Sequence, residues 1–227
     1  MDKDKVIDSI WRTGAVKLRT GNMEPFFVDR GENRTPIRIF GNEIFSNPVL
    51  GEEIMGEITR EMLLEGVNPD FFVGEETSGI PMAVYLGITM RRPFGYISRE
   101  PKEYADASKY FEGVRPEAMT GRRVMFTDTV LSQAVGKRKC VRNANEEGVR
   151  PEEYLVLVNL EQGGEKALKE MGVGLRYAVT ARELVDIGIS FKHLKGDALA
   201  AREVQEYLDN PEKWHMRKVG KPYKRFE

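Results

Sequence analysis

The sequence predicts an α/β protein with a mainly parallel sheet covered by helices on both faces, and three observations predict it. Short, almost uniformly apolar runs recur at Phe71–Val73, Phe94–Ile97, Val124–Thr127 and Tyr154–Val158, the pattern of strands buried on both faces. Each run is separated from the next by a helical pattern or a long loop, which is the rhythm of crossover connections. A chain of 227 residues, 41% of them hydrophobic, is long enough for one such domain with a large core.

Taken in order, Val6 to Trp11 reads as a first helix, followed by short strands around Val16–Leu18, Pro25–Asp29 and Ile37–Phe40. A long helix from about Asn47 to Leu64 carries Val49, Leu50, Ile54, Ile58 and Met62 at helical spacing, with Ser46 as its N-cap. Among the sheet strands that follow, the segment from Ser98 to Gly121 is long, charged and weakly periodic, and loops of that kind in a compact domain are functional lids or disordered. The run from Gly121 to Gly136 then reads as a buried strand, a tight turn carrying Asp128, and a helix N-terminus. A strand end is a rigid mount for a carboxylate, and the first helical turn offers unpaired N–H groups that suit a phosphate. An acid for sugar hydroxyls beside a cradle for phosphate points to a phosphorylated ribose; on this segment alone, a turn or N-cap role for Asp128 is the simpler alternative.

Basic and acidic residues balance, 35 against 36, which argues against a dedicated nucleic-acid or membrane surface. A single cysteine, Cys140, excludes an intrachain disulfide framework and a multi-cysteine metal site. No charged-then-apolar leader is present and no apolar run approaches the ~20 residues that span a bilayer, so the expectation is a cytoplasmic protein. His193 and His215 lack an acid-and-nucleophile pattern around them and read as surface or capping residues. Lys137-Arg138-Lys139 with Arg142 reads as a solvated helix face that lies just beyond the phosphate loop, where it can meet an anion. The tail from Gly196 holds an amphipathic helix around Ala198–Leu208, then Trp214, Tyr223 and many basic residues; packing on the domain, dimer contacts and partner binding all stay open for it.

The run around Asp128 resembles the signature of type I phosphoribosyltransferases: a hydrophobic strand, two acids, two small aliphatics, two hydroxyl residues and a glycine. Here the acid positions hold Asp128 and Thr129, the aliphatic ones Val130 and Leu131, the hydroxyl ones Ser132 and Gln133, and the glycine position Ala134. Four further segments, in the order of the orotate phosphoribosyltransferase branch, extend the resemblance over roughly residues 5 to 187. Gly14 to Gly21 with Pro25-Phe26-Phe27-Val28-Asp29 is similar to the base-binding hood, and Pro69 to Ala83 to the pyrophosphate loop and its helix. Tyr96 to Tyr104, leading to Phe111-Glu112-Gly113, is similar to the mobile catalytic loop, with Ser98-Arg99 at the family's Arg-Lys pair and Lys102 retained. Leu157 to Gly164 is similar to the strand and turn that carry Asp-Arg in the family, replaced here by Asn159 and Leu160.

The resemblance implies a type I phosphoribosyltransferase domain over residues 1–190, with a hood near 14–40, and a separate tail over 191–227. It implies transfer of a ribosyl 5-phosphate from phosphoribosyl pyrophosphate to a pyrimidine or related heterocyclic base, in a homodimer, with Mg²⁺ held through the pyrophosphate and ribose and no direct protein ligand. Arg99, Lys102 and Asp128 would be catalytic. Glu75, Glu76, Thr77, Ser78 and Gly79 would hold pyrophosphate, and Thr129, Leu131, Ser132, Gln133, Ala134, Val135 and Gly136 the ribose 5-phosphate. Arg19, Thr20, Phe26, Phe27 and Leu160 would meet the base, although one of the two phenylalanines, alternating along a strand, is expected in the core. Leu160 stands where an arginine would pair with the carboxylate of orotate, and a leucine cannot, which puts orotate itself in doubt. The alternative is a non-catalytic homologue that binds a nucleotide, a phosphate ligand or a protein partner.

Overall fold

The computed structural model describes residues 1–19, 25–29, 32–103, 108–191, 193 and 198–225. The chain begins with helix α1 (Lys3–Arg12), strands β1 (Val16–Leu18), β2 (Phe27–Val28), β3 (Arg34–Thr35) and β4 (Ile37–Ile39), and helices α2 (Gly41–Ile44) and α3 (Pro48–Leu64). Then come β5 (Phe71–Glu75), α4 (Ile80–Met90), β6 (Phe94–Ile97), β7 (Phe111–Glu112), α5 (Pro116–Met119) and β8 (Val124–Leu131). Finally α6 (Val135–Glu146), β9 (Pro151–Asn159), α7 (Gly164–Glu170), β10 (Gly174–Thr180) and α8 (Ala181–Ser190) lead to α9 (Ala198–Asp209) and α10 (Pro211–Val219).

The sheet runs β10-β9-β8-β5-β6-β7, parallel throughout except for β7, which is antiparallel to β6. This is the α/β architecture that the apolar runs predict. From β5 the chain crosses through α4 toward β6, and from β8 it crosses through α6 toward β9, in opposite directions along the sheet. The carboxyl ends of these two neighbours therefore open a crevice at the switch point, where ligands bind in such sheets.

Residues alternate between two cores. Phe72, Met125, Leu155 and Leu157 pack with Ile7, Ile54, Met82, Leu184, Val204 and Trp214, so the two C-terminal helices share the core of the N-terminal ones. Val73, Phe126, Tyr154 and Val156 pack with Cys140, Val141 and Leu168 on the other face. Short strands β1 and β4 pair with each other, as do β2 and β3, and this small antiparallel hood stands apart from the main sheet. Among the described residues, no helix is long and apolar enough to cross a membrane.

The structure corrects two expectations and adds a strand that the apolar runs do not show. The N-cap of α3 is Asn47, whose side chain accepts from the N–H groups of Val49 and Leu50, while the Ser46 hydroxyl donates to the carbonyl of Glu43. Strand β8 continues past the apolar run because Asp128, Val130 and Leu131 stay in register with Val156, Val158 and Asn159 of β9; Asp128 is thus mounted on the strand and not on the turn after it. Strand β10 escapes the apolar pattern because it is an edge strand interrupted by Arg176, which pairs with Glu65 and Glu153. Within the long segment after β6, an N–H of Lys102 bonds the carbonyl of Lys109 at 2.9 Å and leads into β7.

Candidate functional site

A cavity of about 510 Å³ opens between the carboxyl ends of β5 and β8 and the hood. Its floor is Asp128, buried to 4% exposure. The Asp128 Oδ1 accepts from the Ser78 hydroxyl at 2.5 Å and from the Thr129 N–H at 2.8 Å, and Oδ2 accepts from the Lys137 ammonium at 2.5 Å. Burial pushes this carboxyl up, but the charge and hydrogen bond of Lys137, with Ser78 and the Thr129 N–H, outweigh it and hold Asp128 below the ordinary carboxylate value.

Lys137 corrects the reading of its helix as solvated. Its side chain is buried, and it also donates to the Val130 carbonyl at 2.8 Å and lies 3.5 Å from Glu75 Oε2. The signal was in the sequence: Lys137 shares a helical stripe with Cys140, Val141 and Ala144, all buried.

Around this floor the two loops converge. After β5, Thr77 and Ser78 line the cavity, and the Glu76–Thr77 peptide is cis. Gly79 lies behind, pressed so closely on β8 that a Cβ there would sit 2.0 Å from the Thr127 carbonyl oxygen. After β8, Ser132, Gln133 and Ala134 line the cavity just ahead of α6, and Val135 and Gly136 line it from the start of the helix, with no capping side chain over it. Ala134 takes the left-handed conformation, φ +60°, at the position where the resembled signature has glycine. Gln133 reaches away to the tail, donating to the Tyr223 hydroxyl at 3.1 Å and the Lys224 carbonyl at 3.2 Å.

Leu160 also lines the cavity, together with Thr129, Gln162, Arg38 of β4 and Tyr207 of α9. Gln162 donates to the Tyr207 hydroxyl at 2.8 Å, and Arg38 lies 5.0 Å over the Phe40 ring and donates to the Val28 carbonyl. Arg38, Gln162 and Tyr207 were not singled out from the sequence: Arg38 and Tyr207 come from segments without a motif, and Gln162 lies in the Leu157–Gly164 turn at a position the resemblance leaves unspecified.

Other expected site residues stand off this cavity. Leu131 is fully buried in the core. Arg99 turns inward, bonding the buried Glu75 carboxylate at 2.8 Å and the Glu76 carbonyl at 2.6 Å. Lys102 pairs with Glu112 and lies 4.5 Å over the Tyr96 ring, whose hydroxyl is pushed up to about 12 by its bond to Glu112. Arg19 pairs with Glu203, Phe26 packs edge-on against Trp214, and Phe27 is part of the β2–β3 pair. Thr20 lies outside the described residues.

Comparison with known proteins decides the family. The orotate phosphoribosyltransferase of Sulfurisphaera tokodaii is 30% identical over 186 residues, 81% of this chain and 85% of the relative. The chain belongs to the orotate phosphoribosyltransferase family. No family model matches the sequence. The fold is shared with Leishmania donovani UMP synthase, with a TM-score of 0.75 at 19% identity over 92% of this chain and 42% of that one. It is shared also with the orotate phosphoribosyltransferase of Aeropyrum pernix, with a TM-score of 0.65 at 22% identity over 80% and 97% of the two chains. The Mycobacterium tuberculosis orotate phosphoribosyltransferase, solved in complex with 5-phospho-α-D-ribosyl 1-diphosphate, gives a TM-score of 0.59 at 15% identity over 83% and 99%. Membership of the orotate phosphoribosyltransferase family makes Thr129, Ala134 and Leu160 informative departures, because all three face this cavity.

Proposed function

We propose that the protein transfers a ribosyl 5-phosphate from phosphoribosyl pyrophosphate to a ring nitrogen of a pyrimidine or related base. The observation that carries this reading is the meeting of Asp128 with the uncapped first turn of α6 in one cavity, beside Thr77 and Ser78. Asp128 accepts a hydrogen bond from a ribose hydroxyl, the N–H groups from Ser132 to Gly136 take the 5-phosphate, and the β5 loop takes the pyrophosphate. The breaking bond leaves an oxocarbenium-like sugar and an anionic leaving group, so catalysis here is positioning and electrostatics. Arg99 and Lys102 reach the leaving group only if the loop after β6 rearranges on binding, as closing loops do.

Mg²⁺ carried on the pyrophosphate and ribose would neutralise the charge that develops on the leaving group. The donors present suit an ion brought by substrate: among the described residues no group of three or more His, Cys, Asp or Glu side chains converges, and Asp128 is already bonded on both oxygens. In this reading the protein is a homodimer whose partner loop completes each site, and it works in the cytoplasm, where its charged, membrane-impermeant substrate is found. Light scattering at micromolar concentration checks the dimer.

A non-catalytic relative that binds a phosphorylated ligand is the second reading, favoured by Thr129 and Leu160. Calorimetry with phosphoribosyl pyrophosphate and Mg²⁺, followed by a screen of bases for pyrophosphate release, separates the two. No binding removes both the enzyme and its substrate; binding without release from any base leaves the second reading.

A further inference from the structure

We propose that Lys137 is a positioning residue that supplies, from inside the site, part of the positive charge a phosphorylated ribose otherwise brings with it as a divalent cation. The inference rests on the reading of the cavity as a phosphoribosyl site. Its basis is a network of four ionic side chains beneath that cavity, three of them buried and Arg99 half-buried. Lys137 bonds Asp128 and approaches Glu75, and Arg99 bonds Glu75 from the other side. Two cations face two carboxylates, so the network is neutral as a whole. The remaining titratable neighbours, Cys140 on α6 and Tyr154 on β9, are both pushed upward by burial and stay uncharged.

The consequence follows from where the charges lie. Phosphoribosyl pyrophosphate is strongly anionic, and a lone carboxylate on the cavity floor would repel it unless a metal ion came between them. Here the ammonium is already against Asp128, bonding its carboxylate and the Val130 carbonyl and lying 3.5 Å from Glu75. A carboxylate has about four acceptor positions and three are used by Ser78, Thr129 and Lys137, which leaves one, on Oδ2, that a ribose hydroxyl can take. Thr129, in place of a second acid, adds no further negative charge. The site therefore holds the sugar phosphate with less help from metal than a site with two unpaired carboxylates.

The test is calorimetry of phosphoribosyl pyrophosphate with the full chain, once with Mg²⁺ and once with EDTA, for wild type, Lys137→Met and Lys137→Arg. The wild type is expected to lose less than about tenfold in affinity when Mg²⁺ is removed, and Lys137→Met to lose at least about tenfold more than that, with Lys137→Arg between them. A folded Lys137→Met with the wild-type ratio of the two affinities would show that the lysine only holds the fold, and overturns the proposal. If Lys137→Met does not fold, the wild type decides alone: binding with Mg²⁺ that disappears in EDTA overturns the role of Lys137, and binding that survives supports it. Absence of binding even with Mg²⁺ removes the phosphoribosyl reading itself, a different outcome from either.

Discussion

Arg19 Nη1 lies 3.2 Å from Glu203 Oε2, joining the hood to α9 across 184 residues of chain. Arg19 is buried and Glu203 mostly so, Lys218 approaches the other Glu203 oxygen at 3.1 Å, and the Arg19 guanidinium lies 4.0 Å over Phe26, which in turn meets Trp214 edge-on. The hood is thus fastened to the C-terminal helices. Glu203→Gln removes a charge that faces two cations, Arg19 and Lys218, and should cost on the order of 3 kcal/mol. A thermal melt should show a fall of roughly 6 to 12 °C, with affinity for phosphoribosyl pyrophosphate near that of the wild type. An unchanged melting temperature would show the pair to be screened and its contribution negligible.

The same contact explains what the sequence concealed. The parallel sheet was legible because strands buried on both faces leave continuous apolar runs, and β5, β6, β8 and β9 all lie where those runs do. The strand that carries Asp128 and the helix start after it were legible because strand, acid and helix start are contiguous. Arg19 and Phe26 were not, since their partners Glu203 and Trp214 lie almost two hundred residues away and no local pattern reports a long-range pair. Lys137 was hidden for another reason: a lysine in a run of lysine and arginine looks solvated, and only its phase on α6 shows that it points inward.

Ala134 begins α6 at φ +60°, where a Cβ is strained and glycine is not. Ala134→Gly should therefore stabilise the fold by about 1 kcal/mol, less whatever the added freedom of glycine costs in the unfolded chain. Loss of the buried methyl from the core offsets part of that gain, and affinity for phosphate should stay near that of the wild type. Denaturant unfolding measures the first and calorimetry with ribose 5-phosphate the second; a loss of stability would mean that Ala134 relaxes out of the left-handed region at no cost.

Acid should act on wild type and Lys137→Met with opposite sign. In wild type, Asp128 is held below its ordinary value, so its contribution is present above the unfolded pKa of about 3.9 and is lost as pH falls through the lower folded value. Without Lys137 the burial that pushes Asp128 up is no longer outweighed, and its folded pKa should rise above the unfolded one. Its stabilising contribution is then complete below about pH 3.9 and disappears as pH rises through the folded value. Lys137→Met should accordingly gain melting temperature as pH is lowered from 7 toward 5, while wild type stays level. Adding Asp128→Asn to the variant should flatten the profile, and a slope that survives that second substitution would assign it to another group.

Leu160 lines the cavity at the position where the family resemblance places an arginine for the carboxylate of orotate. An aliphatic side chain cannot make that bidentate contact, and a carboxylate buried without a partner costs on the order of 1 to 3 kcal/mol or more. Orotate should thus be a poor substrate beside a base that lacks the carboxylate. Leu160→Arg should improve kcat/KM for orotate only if the sugar and pyrophosphate are already held, because one added contact helps the transition state only when the rest of the site is in place. Steady-state kinetics of wild type and Leu160→Arg, with Asp128→Asn as the control for the sugar site, tests this. Arg38 supplies the contrary case, since it lies on the same cavity wall and carries a guanidinium of its own. Wild-type turnover of orotate at about 1 s⁻¹ or more, abolished by Arg38→Ala, would transfer the carboxylate contact from the position of Leu160 to β4 and refute the prediction.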